Sequence, residues 1–179
     1  MVTLEVFQRE YGMASIGQGV SCIRTTRVQQ CTIWCGFDQS SGVAFLCHFD
    51  YPWSTRSVPQ IVAELEELAG KNARFRSMLI GGRSCLWSMR TRRRVESLLA
   101  PYKGFITVRN GPLSPGVRGK GRSISTVNGK VRLCSPSAKV RRGYSSCLAD
   151  WWHTLAIWRP AKRVRPNESF KPTPLRGAA

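Results

Sequence analysis

Two apolar runs, Thr32–Phe37 and Val43–Phe49, flank the polar segment Asp38-Gln39-Ser40-Ser41-Gly42. Runs of this length, bounded by turn residues, predict two buried strands joined by a hairpin. Similar short runs recur along the chain. Val2–Phe7 alternates and predicts an edge strand. Met13–Ile16 and Val20–Ile23 predict strands separated by a turn at Gly17-Gln18-Gly19. That Gly-x-Gly lacks the further glycine or Gly-Lys-Ser/Thr of a phosphate loop, so it reads as a turn. Phe75–Ile80 predicts a strand running into Gly81-Gly82, and Phe105–Val108 predicts another. Ser123–Val127 and Val131–Cys134 flank Asn128-Gly129, a strong hairpin signal.

Helical spacing appears elsewhere. Ile61, Val62, Leu65, Leu68 and Ala69 form one apolar face, with a capping box expected at Ser57 and Gln60 and a stop at Gly70. Its Glu64, Glu66 and Glu67 read as a solvated face. Thr91–Leu99 predicts a second helix with Val95, Leu98 and Leu99 inward and solvated Arg92, Arg93 and Arg94 at its start. Ser146–Trp158, with Leu148, Trp151, Trp152, Leu155 and Trp158, predicts a third. Strand groups interrupted by helices argue for an α+β domain.

The central hairpin carries candidate chemistry. A four-residue loop at Asp38–Ser41 pairs Phe37 with Gly42 and places Cys31 opposite His48. Opposed Cβ atoms lie about 4.5–5.5 Å apart. A loop longer by one residue would set His48 against Thr32 and turn the two side chains to opposite faces. A thiolate beside an imidazole is a nucleophile with its own base, and Thr25 or Thr26 is placed to orient that base. Buried Cys is also an ordinary core residue, and Cys35 and Cys47 read that way. The base has few other sources, because the histidines are His48 and His153.

The 179 residues suit one domain with a real core. No apolar stretch reaches transmembrane length and no basic-then-apolar signal opens the chain, so the expected location is cytoplasmic, or secreted without a cleavable signal. Seven cysteines without repeated Cys-x-x-Cys pairs read as reduced thiols with no structural metal. Formal net charge is +18, and beyond residue 100 only Asp150 and Glu168 are acidic against sixteen Lys and Arg. Such a field favours acidic partners. The expected organisation is a domain over 1–135, a basic and aromatic extension over 136–160, and a disordered basic tail over 161–179.

Thr25, Cys31, Asp38 and His48 fall on the spacing of a known family: Thr, Cys six later, Asp seven beyond, and His seventeen beyond the Cys. Leu79-Ile80-Gly81-Gly82, then Gly119-Lys120-Gly121-Arg122-Ser123-Ile124, then Asn128-Gly129-Lys130-Val131 follow in its order. The chain resembles, over roughly residues 12–134, the CheD-type chemoreceptor glutamine deamidases, relatives of cytotoxic necrotizing factor. The resemblance implies two packed mixed β-sheets flanked by helices. It implies a catalytic set of Cys31, His48 and Thr25, with Tyr51 or Trp53 beside the cleft. The implied activity is protein-glutamine deamidation without metal or cofactor, on chemoreceptors or as an effector on a host protein, with an exposed glutamine and an acidic surface on the target. Val28-Gln29-Gln30 stand where the family has glycines. The alternative nucleophile, Cys22, follows Gly17-Gln18-Gly19 but has Gln29 and Gln39 at the two later positions. The competing expectation is a non-catalytic basic module binding nucleic acid or another anionic partner, with steep salt dependence.

Overall fold

The structure is a computed structural model that describes residues 2–26, 28, 31–82, 86–112, 121–134 and 158–165. The strands are β1 (Val2–Glu5), β2 (Glu10–Ser15), β3 (Val20–Thr25), β4 (Thr32–Asp38), β5 (Val43–Phe49), β6 (Phe75–Gly81), β7 (Ile106–Asn110), β8 (Gly121–Ser125), β9 (Val131–Cys134) and β10 (Lys162–Val164). The helices are α1 (Val58–Ala69) and α2 (Leu86–Leu99). One sheet runs β1-β3-β8-β9 and the other β10-β2-β5-β4-β6-β7. Each mixes parallel and antiparallel pairs. The expected α+β arrangement of two mixed sheets with helices is the observed one.

Alternation along β4 explains the long apolar run. Ile33 and Cys35 face the second sheet, packed with Leu4, Ile23, Leu46, Ile80 and Ile124. Trp34 faces the helices, packed with Phe45, Phe75, Ile61, Leu65 and Val95. A strand covered on both faces has no reason to alternate with polar residues. The sheets meet closely. A Cβ added at Gly12 would lie 2.7 Å from Leu4 Cδ2, so β1 crosses directly over β2. A Cβ at Gly129 would lie 2.7 Å from Phe37, so the β8–β9 turn covers β4.

Several expectations are corrected. The β4–β5 hairpin pairs Asp38 with Val43 and Ile33 with His48, so Cys31 does not lie opposite His48. The four-residue loop is Gln39–Gly42, one step further along than expected. Asp38 causes this. It accepts hydrogen bonds from Ser40 Oγ (2.6 Å), Ser41 N (2.8 Å), Ser41 Oγ (2.7 Å) and Arg74 N (2.8 Å). Burial raises its pKa, but those bonds outweigh it and hold the carboxyl down to about 2. Stability from this clamp is full above the unfolded value near 3.9 and is lost as pH falls toward about 2. Asp38→Ala is expected to lower unfolding free energy by about 2 kcal/mol or more, read from the urea midpoint at neutral pH.

Ser57 does not cap α1. It is itself helical and donates to Ser54 O at 2.9 Å, because a 3-10 turn over Pro52–Ser57 runs straight into the helix. Gly70, with φ 85°, closes α1 as expected. Glu64 is no bystander, since it binds Tyr11 Oη and Arg163. Arg92 is buried rather than solvated. It donates to Gly81 O (2.7 Å) and Asn110 Oδ1 (2.6 Å) and pairs with Glu96. β10 lies inside the stretch expected as a disordered tail, yet it pairs in parallel with β2 and buries Val164. The expected Ser146–Trp158 helix falls on residues outside the described ones up to 157, as does His153. No described helix is long and apolar enough to cross a membrane.

Candidate functional site

Four strand ends gather at one edge of the sandwich. Thr25 is the last residue of β3 and His48 the penultimate residue of β5. Cys31 immediately precedes β4, and Arg122 is the second residue of β8. Chain direction puts these ends together, because β3 and β5 finish where β4 and β8 begin.

His48 has no exposed surface. Its Nδ1 lies 2.6 Å from Thr25 Oγ1, a bond between the two sheets. Its Nε2 is buried with no hydrogen-bond partner. Burial alone pushes its pKa down to about 4, so the ring is neutral at physiological pH. The choice between Thr25 and Thr26 as its partner falls to Thr25.

Cys31 is two residues before Ile33, which is the residue opposite His48. A two-residue slip keeps the face. Cys31 accordingly packs with Ile33 and Cys35 between the sheets, on the side that His48 shares with Leu46. The pair are diagonal neighbours, a relation of about 7–8 Å across a ladder. Gln8, exposed in the β1–β2 turn, brings Nε2 to 3.9 Å from Cys31 Sγ, so the thiol lies near the rim. Next to it, Arg9 and Asp50 form a buried ion pair at 2.8 Å.

Asp38, the fourth member of the sequence spacing, is at the hairpin turn, the other end of β4 from Cys31. Its role is the turn described above. Cys22 alternates to the other face of β3, and burial raises its pKa. Among the described residues no histidine accompanies it there. Cys35 is fully buried, with its thiol pushed up to about 12 by burial, and Cys47 is raised the same way. Both are core residues, as expected. Among the described residues no three metal-ligating side chains gather.

An aromatic ledge adjoins the site. Thr32 Oγ1 donates to Ser88 O at 3.5 Å, so the first turn of α2 rests beside the start of β4. Trp87 on that turn is 46 % exposed and contacts Tyr51 at 6.3 Å and Trp53 at 6.1 Å between ring centroids. Arg90 stacks 5.5 Å over Trp87. Tyr51 and Trp53 were legible as cleft candidates. Trp87 was not, because its helix was expected to start later. Gln8 carried no chemical signal of its own in the sequence, and Arg122 was legible only as part of the Gly119–Ile124 motif of the resemblance.

The family model described as protein N-terminal asparagine amidohydrolase matches residues 1–92. The chain belongs to this family. Among curated proteins no match is found. The N-terminal asparagine amidohydrolase match spans β1 through the first half of α2 and contains Thr25, Cys31 and His48. A protein amidohydrolase family agrees with the general class of the resemblance, not specifically with its chemoreceptor-deamidase branch.

Proposed function

We propose that this protein hydrolyses a side-chain amide of a protein substrate, with Cys31 as nucleophile, His48 as base and Thr25 as the group that orients the base. The observation that carries this is the 2.6 Å contact between Thr25 Oγ1 and His48 Nδ1, which leaves the buried Nε2 without a partner. For the ring to act as a base, Nδ1–H donates to Thr25 Oγ1 and the Nε2 lone pair receives the thiol proton.

The sulfur then bonds to the amide carbon, and the carbon–nitrogen bond breaks. His48 returns its proton to the nitrogen, and ammonia leaves. Water, deprotonated by His48, opens the thioester and regenerates the thiol beside a new carboxylate. Backbone N–H groups around Cys31 receive the oxyanion. Family membership favours an N-terminal asparagine as substrate. The Thr–Cys–His spacing shared with glutamine deamidases favours glutamine as the second reading. Mass spectrometry of three peptides separates them: one with N-terminal Asn, its N-acetylated form, and one with internal Gln. Conversion adds about one dalton. Conversion of the first peptide alone is expected, and conversion of none would reject the amidohydrolase reading.

The aromatic ledge suits the approach of a polypeptide, with Arg90 and the basic surroundings matched to acidic residues on it. Trp87→Ala is expected to raise KM by about tenfold while leaving kcat within about twofold, since such stacking contributes about 1 kcal/mol or somewhat more to uniform binding. Steady-state kinetics on the preferred peptide checks this.

A further inference from the structure

The turn between β1 and β2 is held more firmly than its place at the surface requires. Glu10 N donates to Phe7 O at 3.1 Å and Phe7 N donates to Glu10 Oε2 at 2.9 Å, which closes a tight turn around Gln8 and Arg9. Arg9 has a φ of 57°, and among the described residues no other non-glycine has a positive φ. That conformation costs free energy in a residue with a Cβ, and it persists only where the surroundings over-determine it. Here they do. Arg9 N donates to His48 O at 2.9 Å, and Arg9 O accepts from Lys162 N at 2.8 Å. The Arg9 guanidinium is locked in the buried pair with Asp50.

What this frame holds in place is Gln8. Its side chain stands at the exposed tip of the turn, and its amide Nε2 lies 3.9 Å from Cys31 Sγ. The carbonyl carbon of that amide is one bond away, about 1.3 Å from the nitrogen. The strand register brings the same parts together. Continued one step past its last pair, Thr32 with Phe49, the β4–β5 ladder sets Cys31 opposite Asp50, the anchor of Arg9. A carboxamide, the group on which the proposed chemistry acts, is thus delivered by the chain itself to the proposed nucleophile.

We propose that Gln8 is a modification site, deamidated in cis by Cys31. The inference rests on the reading of Cys31 as the nucleophile of an amidohydrolase. The sulfur bonds to the Gln8 amide carbon, its proton passing to His48. The carbon–nitrogen bond then breaks, and His48 returns the proton to the departing nitrogen, which leaves as ammonia. Water adds to the thioester carbon and the carbon–sulfur bond breaks. The thiol is restored and a glutamate side chain remains at position 8. An internal glutamine in a free peptide must first bind, whereas Gln8 is pre-positioned and reacts without that cost. The reaction exchanges a neutral amide that mimics substrate for an anionic side chain, so it removes an internal competitor from the site.

The test is a mass measurement on the full-length protein. Tryptic cleavage after Arg9 releases residues 1–9, a peptide whose one carboxamide is Gln8. This peptide from wild-type protein is expected to be about one dalton heavier than its encoded mass. In C31S and in H48Q the shift is expected in less than about one per cent of the peptide, as loss of either group removes the covalent route. Wild type mixed with ¹⁵N-labelled C31S is expected to leave the labelled peptide unchanged, since the step is intramolecular. Encoded mass in the wild-type peptide overturns the proposal. So does a shift that persists in both variants, which would be spontaneous, or conversion of the labelled peptide, which would place the reaction between molecules. An unmodified Gln8 in protein that still converts the N-terminal Asn peptide would overturn this proposal alone and leave the amidohydrolase reading standing. Failure on both substrates would remove the two together.

Discussion

Cys31→Ser is expected to stay folded and to lose ammonia release by about four orders of magnitude or more. The substitution changes one atom at a position that is nearly buried, so packing against Ile33 and Cys35 is preserved. The chemistry is not preserved. A hydroxyl has a far higher pKa than a thiol, and a neutral imidazole whose pKa lies near 4 is a weak base for it. Loss of a nucleophile removes the covalent route altogether, with effects of this size or larger in hydrolases that work through an acyl intermediate. Circular dichroism and a urea midpoint check the fold, and an ammonia assay checks the chemistry. Full activity in Cys31→Ser would end the nucleophile assignment.

The second large effect concerns His48. His48→Gln is expected to lower kcat/KM by about 100- to 10,000-fold, the usual worth of a positioned base. It is also expected to change acid stability in the opposite direction. The unfolded ring titrates near 6.5 and the folded ring near 4. Between those values the unfolded chain binds a proton that the folded chain does not. The wild type therefore has its full stability above about pH 6.5 and loses up to roughly 3 kcal/mol as pH falls to about 4. Glutamine carries no such proton. Urea midpoints measured from pH 7 to pH 4 should fall steeply for the wild type and less steeply for His48→Gln. Parallel curves would show that burial does not depress this imidazole.

The strand pattern was legible where both faces of a strand are covered. Thr32–Phe37 and Val43–Phe49 announce themselves because neither side meets water. Their exact pairing was not legible, because it is set by the Asp38 carboxylate gathering Ser40, Ser41 and the distant Arg74 amide. The slip of two residues spared the candidate site only because side-chain period in a strand is also two. Thr25 and His48 were readable as a pair only through the family resemblance, since the residues themselves left Thr25 and Thr26 open. Arg92 and Arg122 were not, since nothing local distinguishes a buried arginine from a solvated one. Trp87 was hidden because α2 was expected to begin at Thr91, and the contact of its first turn with Thr32 leaves no mark in the local sequence. Lys162–Val164 looked like tail because a three-residue strand with two cations has no periodicity to detect.

That last strand has a consequence for how the protein is made. β2 leaves the ribosome early, and its parallel neighbour β10 follows about 150 residues later. At a synthesis rate of about 5–20 residues per second, the rim of the larger sheet stands open for roughly 10–30 s. During that interval the backbone of Glu10–Gly12 offers its donors and acceptors to any passing strand. Nascent copies on one polysome are the nearest such strands, so crowded translation is the condition under which this fold is most exposed to mispairing.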